Sequence, residues 1–145
     1  MPYTPAHCVD THQHLWVMSE RTYDWISPDY GVLYGDHRPE DVAEDIVKAG
    51  ITATVLVQAA DTYDDTFYML SVERAFENVR GVVGWVPFDR VHEAREALDL
   101  ISGHQALKGY RNLTHNYSDP RWILQAPCLE TLRDLASRNL SLDMV

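Results

Sequence analysis

The chain of 145 residues is 46% apolar and 23% charged, which is enough for one domain with its own core and far from the composition of disordered proteins. Its formal net charge of -10, without any Lys/Arg-rich run, argues against a nucleic-acid or anionic-membrane partner. The start, "MPYTPAHC", lacks the apolar core of a signal peptide, and no stretch approaches the ~20 consecutive apolar residues of a membrane span.

The first apolar stretch is short, from Cys8 to Asp10, and runs into "VDTHQHLW". A long polar and aromatic loop follows, "ERTYDWISPDYGVLYGDHR". Pro39, Glu40 and Asp41 then suit the start of a helix and Gly50 its stop, with Val42, Ile46 and Ala49 as its apolar stripe. "ITATVLVQA" is β-branched and nearly all apolar, as a strand buried on both faces should be. A second helix is expected from about Thr62 to about Asn78, with Met69, Val72, Phe76 and Val79 at helical spacing. "RGVVGWVPF" reads as the third strand. Val91, Ala94, Leu98 and Ile101 mark the third helix, which Gly103 ends. "ALKGYRNL" reads as the fourth strand. Pro127 opens a fourth helix with Leu129, Leu132 and Ala136 inward and Asn139 at its stop, and "LSLDMV" is a fifth strand.

Strands that alternate with helices imply a parallel sheet with right-handed crossovers. Two architectures compete. Five strands can fill an open doubly wound sheet, which the pattern alone favours; a complete eight-stranded barrel needs roughly 250 residues. No glycine-rich phosphate loop follows the first strand, so a dinucleotide-binding sheet has little support.

In parallel α/β folds the chemistry gathers at the carboxyl ends of the strands. There the chain places His12 and His14, then Gln58, Trp85 and Arg111. Residues two apart on extended backbone point the same way, so His12 and His14 can share one ion, and neutral imidazole suits zinc. Two ligands do not complete a catalytic zinc site, which has three protein ligands plus water. Arg111 can bind an anionic group through its planar fork, or make a surface ion pair. Gln58 can meet substrate or cap loop backbone, and Trp85 can wall a ring-shaped ligand or pack in the core. Tyr23 and Trp25 either cover the site or staple the long loop. His115 follows the fourth strand within reach of a ligand, whereas His7, His37, His92 and His104 read as structural or solvated. Cys8 and Cys128 form no CxxC pattern and read as small hydrophobes in a reducing cytoplasm. No GxSxG elbow supports a serine nucleophile.

The ordered set "VDTHQHLW", "YDWI", "ITATVLVQA", "VVGWVPF", "LKGYRN" and "DPRW" resembles the sugar-lactonase and dicarboxylate-lactonase branch of the amidohydrolase superfamily, along the whole chain. The resemblance implies an α/β fold of the (β/α)₈ TIM-barrel type, reversing the preference for an open sheet. Residues 1–145 would be the N-terminal part of one such domain, holding about five strands and four helices. It implies His12 and His14 as catalytic residues and ligands of a divalent metal, zinc, although some members are thought to work without one. It implies Arg111, Gln58 and Trp85 as substrate-binding residues. The reaction implied is water attack on a lactone carbonyl of a sugar acid or small dicarboxylate. A further histidine after a sixth strand and an aspartate general base after an eighth have no counterpart here, and Asp143 does not align with that aspartate; Asp10 is expected to anchor the histidine turn. Two other readings stand beside it: a decarboxylase or amide hydrolase of the same superfamily, and a non-catalytic half barrel that covers its two open edges by self-association or with a partner.

Overall fold

The computed structural model describes residues 7–101 and 103–145. Most of the "MPYTPAHC" start therefore lies outside the described residues. Five parallel strands, β1 (Val9–Gln13), β2 (Ala53–Val57), β3 (Val79–Gly84), β4 (Leu107–Arg111) and β5 (Ser141–Asp143), form one sheet in the order β1-β2-β3-β4-β5. Four helices join them: α1 (Pro39–Lys48), α2 (Tyr63–Ala75), α3 (Val91–Ile101) and α4 (Ala126–Ser137).

The strand order separates the two architectures. A doubly wound sheet reverses direction at a switch point. Here every crossover steps the same way, so right-handed connections put all four helices on one face. The result is part of a (β/α)₈ barrel. The core lies between that face and the helices, where Leu56, Val82, Leu107 and Tyr110 of the strands meet Met69, Val72, Leu98 and Leu135 of the helices. Among the described residues β1 pairs only with β2 and β5 only with β4, so both edges are open.

Local chemistry explains most boundaries. Thr62 caps α2 by accepting the Asp65 N–H at 3.2 Å. Asn139, at φ 57°, takes the left-handed position just after α4 that asparagine tolerates. Asp41 closes the start of α1 by accepting the Arg38 backbone N–H on Oδ2 at 2.7 Å.

Three expectations need correction. Helix α2 ends at Ala75, because Phe76 is already extended and Val79 belongs to β3. On α4 the fully buried face is Cys128, Thr131 and Leu135, with Leu129 and Leu132 half-buried and Ala136 exposed. The stripe is rotated because Cys128 and Leu135, not Ala136, reach the core shared with Trp122 and Tyr110. On α1, Val42 and Ile46 are only half-buried and Ala49 is exposed. Val42 and Ile46 line a groove shared with Leu15, Phe76 and Val79, so the stripe is incompletely packed.

The long loop between β1 and α1 folds down over the strand ends. Trp16, Tyr23, Ile26, Ala59 and Ala60 make a second, smaller apolar cluster there. Among the described residues no helix is long and apolar enough to cross a membrane, and Cys8 and Cys128 are free, with Cys128 fully buried.

Candidate active site

His12 lies within β1 and His14 just beyond its end. The two-residue period of extended backbone puts both rings on one side, and their Nε2 atoms approach to 3.1 Å. Asp10 accepts the His12 backbone N–H at 3.0 Å, so it does anchor the histidine turn. His14 Nδ1 donates to the Val57 carbonyl at 2.8 Å, which fixes the tautomer and leaves Nε2 as the acceptor of the ring. Burial lowers the His14 pKa, with Arg111 and His12 adding to the effect and the Val57 bond opposing it. The ring is therefore neutral near pH 7.

Arg111 closes β4 and is 7% exposed. Its Nη1 lies 3.1 Å from His12 Nε2 and 3.4 Å from His14 Nε2. A guanidinium only donates, so both imidazoles accept from it. Two lone pairs that would otherwise repel are thereby held around one positive group. Arg111 Nε is 3.8 Å from Asp143 Oδ2 at the end of β5, an ion pair too long to be a hydrogen bond.

Gln58 follows β2 and is fully buried. Its Nε2 donates to Asp61 Oδ1 at 2.8 Å and to the Arg111 carbonyl at 3.3 Å. Asp61 also accepts the Leu113 N–H, at 3.1 and 3.2 Å. Burial raises the Asp61 pKa, against those hydrogen bonds and the nearby Arg111 charge. Gln58 and Asp61 thus tie the end of β2 to the loop after β4 and fix the backbone that carries Arg111.

A cleft of about 370 Å³ opens above these residues. The strand ends contribute His14, Gln58, Arg111 and His115; the β1–α1 loop contributes Trp16, Trp25, Tyr30 and Leu33. Trp85 is not among its lining residues. Its backbone N–H is held by Thr66 Oγ1 at 2.9 Å. Its ring packs edge-on against Tyr63 at 4.9 Å and lies beneath Arg90. That packing takes it to the α2–α3 side. Of the five residues singled out in the sequence, the structure gathers His12, His14, Gln58 and Arg111, and separates Trp85.

Sequence reasoning missed Asp61 and Asp143 as charges beside Arg111, and Trp16, Tyr30 and Leu33 as cleft walls. An acid three residues after a strand-end glutamine was a signal for Asp61. Tyr23 and Trp25 were seen as either cover or staple. Tyr23 is a staple, bonded to Asp65 at 3.0 Å; Trp25 is both, donating to the Ala59 carbonyl at 2.7 Å while lining the cleft.

The spacing of the two imidazole nitrogens matches a pair on one tetrahedral ion, about 3.3 Å for metal–nitrogen bonds of ~2.0–2.1 Å. The pair fits a metal, but the set is incomplete. Among the described residues no group of three or more His, Cys, Asp or Glu is arranged to hold an ion, and Arg111 contacts the same two nitrogens.

No protein-family model matches the chain. L-fucono-1,5-lactonase from Burkholderia ambifaria is 30% identical over 136 residues, which are 93% of this chain and 46% of that protein. A solved amidohydrolase from Burkholderia multivorans with bound HEPES superposes with a TM-score of 0.85 at 24% identity, over 95% of this chain and 48% of that one. The same target in another crystal form, with bound zinc, superposes at 0.84 and 22% identity. A probable 2-pyrone-4,6-dicarboxylic acid hydrolase from Acinetobacter baumannii, with bound citric acid, superposes at 0.68 and 16% identity, over 95% of this chain and 49% of that one. The chain spans about half the length of the curated relatives it matches. Over that half it is similar in sequence to L-fucono-1,5-lactonases and in fold to TIM-barrel amidohydrolases.

Proposed function

We propose that these residues form part of the active site of a lactone hydrolase, in which water opens the ring of a sugar-acid or small dicarboxylic lactone. The observation that carries this reading is the convergence of His12, His14 and Arg111 at the strand ends of a chain similar to L-fucono-1,5-lactonase.

The chemistry follows from the charge that develops. As water adds to a lactone carbonyl, the carbonyl oxygen becomes an oxyanion. A buried, pre-positioned guanidinium stabilises such charge far better than a solvated one. Arg111 is already desolvated and held by its own backbone bond to Gln58, so little reorganisation is needed. His14, neutral and tautomerically fixed, offers Nε2 as an acceptor for a proton or for a substrate hydroxyl. His12 orients the guanidinium from the other side. Gln58 and Asp61 hold the geometry.

A divalent metal such as zinc would be held by His12 and His14 through Nε2, and would supply polarisation of the carbonyl and a lowered pKa for water. Because Arg111 Nη1 contacts both nitrogens, the guanidinium and an ion compete for them. We place the general base and any further ligands in the part of a complete barrel that these 145 residues do not include. On this reading residues 1–145 are the N-terminal part of one barrel domain, working in a reducing cytoplasm on a small-molecule substrate.

The test is a panel of sugar-acid and dicarboxylic lactones offered to the full-length protein, with and without added zinc. Ring opening of at least one is expected. No turnover under any condition would sink the proposal.

A further inference from the structure

We propose that Asp143 is a positioning residue, the berth to which Arg111 withdraws when a divalent cation takes the His12 and His14 nitrogens. This rests on reading His12 and His14 as an active-site pair, not on the reaction they serve, so binding tests it rather than turnover.

The protein's own cation closes the imidazole pair. Arg111 Nη1 lies 3.1 Å from His12 Nε2 and 3.4 Å from His14 Nε2, and it donates to both. Those are the nitrogens an ion would take. A guanidinium and a divalent ion repel, and in a buried site that repulsion is little screened. One must leave for the other to bind.

The places the guanidinium can go are limited. In the parallel pairing of β4 with β5, Arg111 stands opposite Asp143, so the two side chains are immediate neighbours across the strands. Arg111 Nε is 3.8 Å from Asp143 Oδ2. Both atoms are buried, and neither has a hydrogen-bond partner among the described residues. An unused donor thus faces an unused acceptor of opposite charge, at just more than the length of a charge-assisted hydrogen bond. The other acid beside Arg111 is Asp61, whose carboxylate already accepts the Gln58 amide and the Leu113 N–H. Asp143 is the one with an oxygen left open.

The backbone need not move. The Arg111 carbonyl is held by Gln58 Nε2 at 3.3 Å. The chain after β5 is tied to the loop after β4 by Thr114 Oγ1, which donates to the Val145 carbonyl at 2.6 Å. Only the arginine side chain swings. As Nη1 leaves the imidazoles, Nε closes on Asp143, and the displaced positive charge stays paired.

Metal affinity is then set partly by the arginine. The apparent dissociation constant is the intrinsic one divided by the fraction of molecules in which Arg111 has withdrawn. Deleting Arg111 brings that fraction to one. Neutralising Asp143 lowers it, but only while Arg111 is there to be received.

The experiment titrates zinc alone into metal-free full-length protein by calorimetry, for wild type, Arg111→Met, Asp143→Asn and the double variant. Arg111→Met should bind zinc about tenfold tighter than wild type. Asp143→Asn should bind it about tenfold more weakly. In the Arg111→Met background, Asp143→Asn should change the affinity by less than about twofold. If Asp143 acted on the ion directly, or merely held the strand end, its tenfold loss would persist without Arg111, and the proposal would fail. Zinc binding by Arg111→Met that is equal to wild type, weaker or absent would also overturn it. Should a variant not fold, wild-type crystals grown with and without zinc decide the matter. Arg111 Nε within about 3.2 Å of Asp143 Oδ2 in the zinc form supports the proposal, and an unmoved guanidinium overturns it. Absence of lactone turnover would overturn the lactonase reading alone and leave these binding outcomes to stand.

Discussion

Two polar networks sit side by side at the strand ends, and they are built on opposite terms. In the first, Asp65 receives Tyr23 Oη at 3.0 Å, Ala59 N at 2.8 Å and Ala60 N at 3.3 Å, so its buried carboxylate is fully partnered. In the second, two imidazole acceptors face each other at 3.1 Å around one guanidinium. There the buried Gln58 Oε1 and Arg111 Nε have no hydrogen-bond partner among the described residues. Burial demands completion, because each unsatisfied buried group costs about 1–3 kcal/mol. The first network meets that demand and holds the loop. The second leaves it open beside a cleft, as a site that awaits a ligand would.

The comparison is sharpest at Arg111. Arg111→Met removes the cation but keeps an apolar side chain, and is expected to lower kcat/KM for lactone by about 10²–10³. A steady-state assay beside a thermal melt reads it; loss of the fold with loss of activity would make Arg111 structural instead.

The pH profile is the next largest effect. The folded pKa of His14 is lowered from 6.5, first by burial. Between that lowered value and 6.5 the unfolded chain binds the proton and the folded one does not, so stability rises with pH across this window. The contribution is complete above 6.5 and is lost as pH falls through the folded value. Activity that needs neutral His14 should likewise fall about tenfold per pH unit below the folded pKa. His14→Asn should flatten the stability slope in that window; an unchanged slope would assign it elsewhere.

The partnered network predicts the reverse pattern, stability loss before chemistry. Asp65→Ala strands the N–H groups of Ala59 and Ala60 and the Tyr23 hydroxyl, and should cost about 1–3 kcal/mol in urea unfolding. It should also free the β1–α1 loop to proteolysis. Tyr23→Phe deletes one donor and leaves Asp65 with two, so about 0.5–1.5 kcal/mol is expected. If Tyr23→Phe lowered kcat more than Arg111→Met, the division between the networks would be wrong.

The sequence showed part of this. Alternating apolar runs and capped helices revealed all five strands and four helices, because period and punctuation are local properties. The same period of two put His12 and His14 on one side. Strand order was not local. Periodicity alone favoured the open sheet, and only pairing such as Gly109 with Ser141 and Tyr110 with Leu142 exposes a sheet that never reverses. The partner of the Tyr23 staple was equally hidden, since Tyr23 and Asp65 are brought together only by the fold. The packing of Trp85 away from the cleft was hidden for a related reason. Position at a strand end does not say which way a ring turns, and Thr66 and Tyr63 of the α2 region decide it.

The most direct measurement is proton release at constant pH when the full-length protein meets a neutral sugar 1,5-lactone. Opening the ring liberates a carboxylic acid, so each turnover releases one proton. The account predicts steady release by the wild-type protein and release reduced about 10²–10³-fold in Arg111→Met. Release at the uncatalysed rate by the wild-type protein, with and without added zinc, would contradict it.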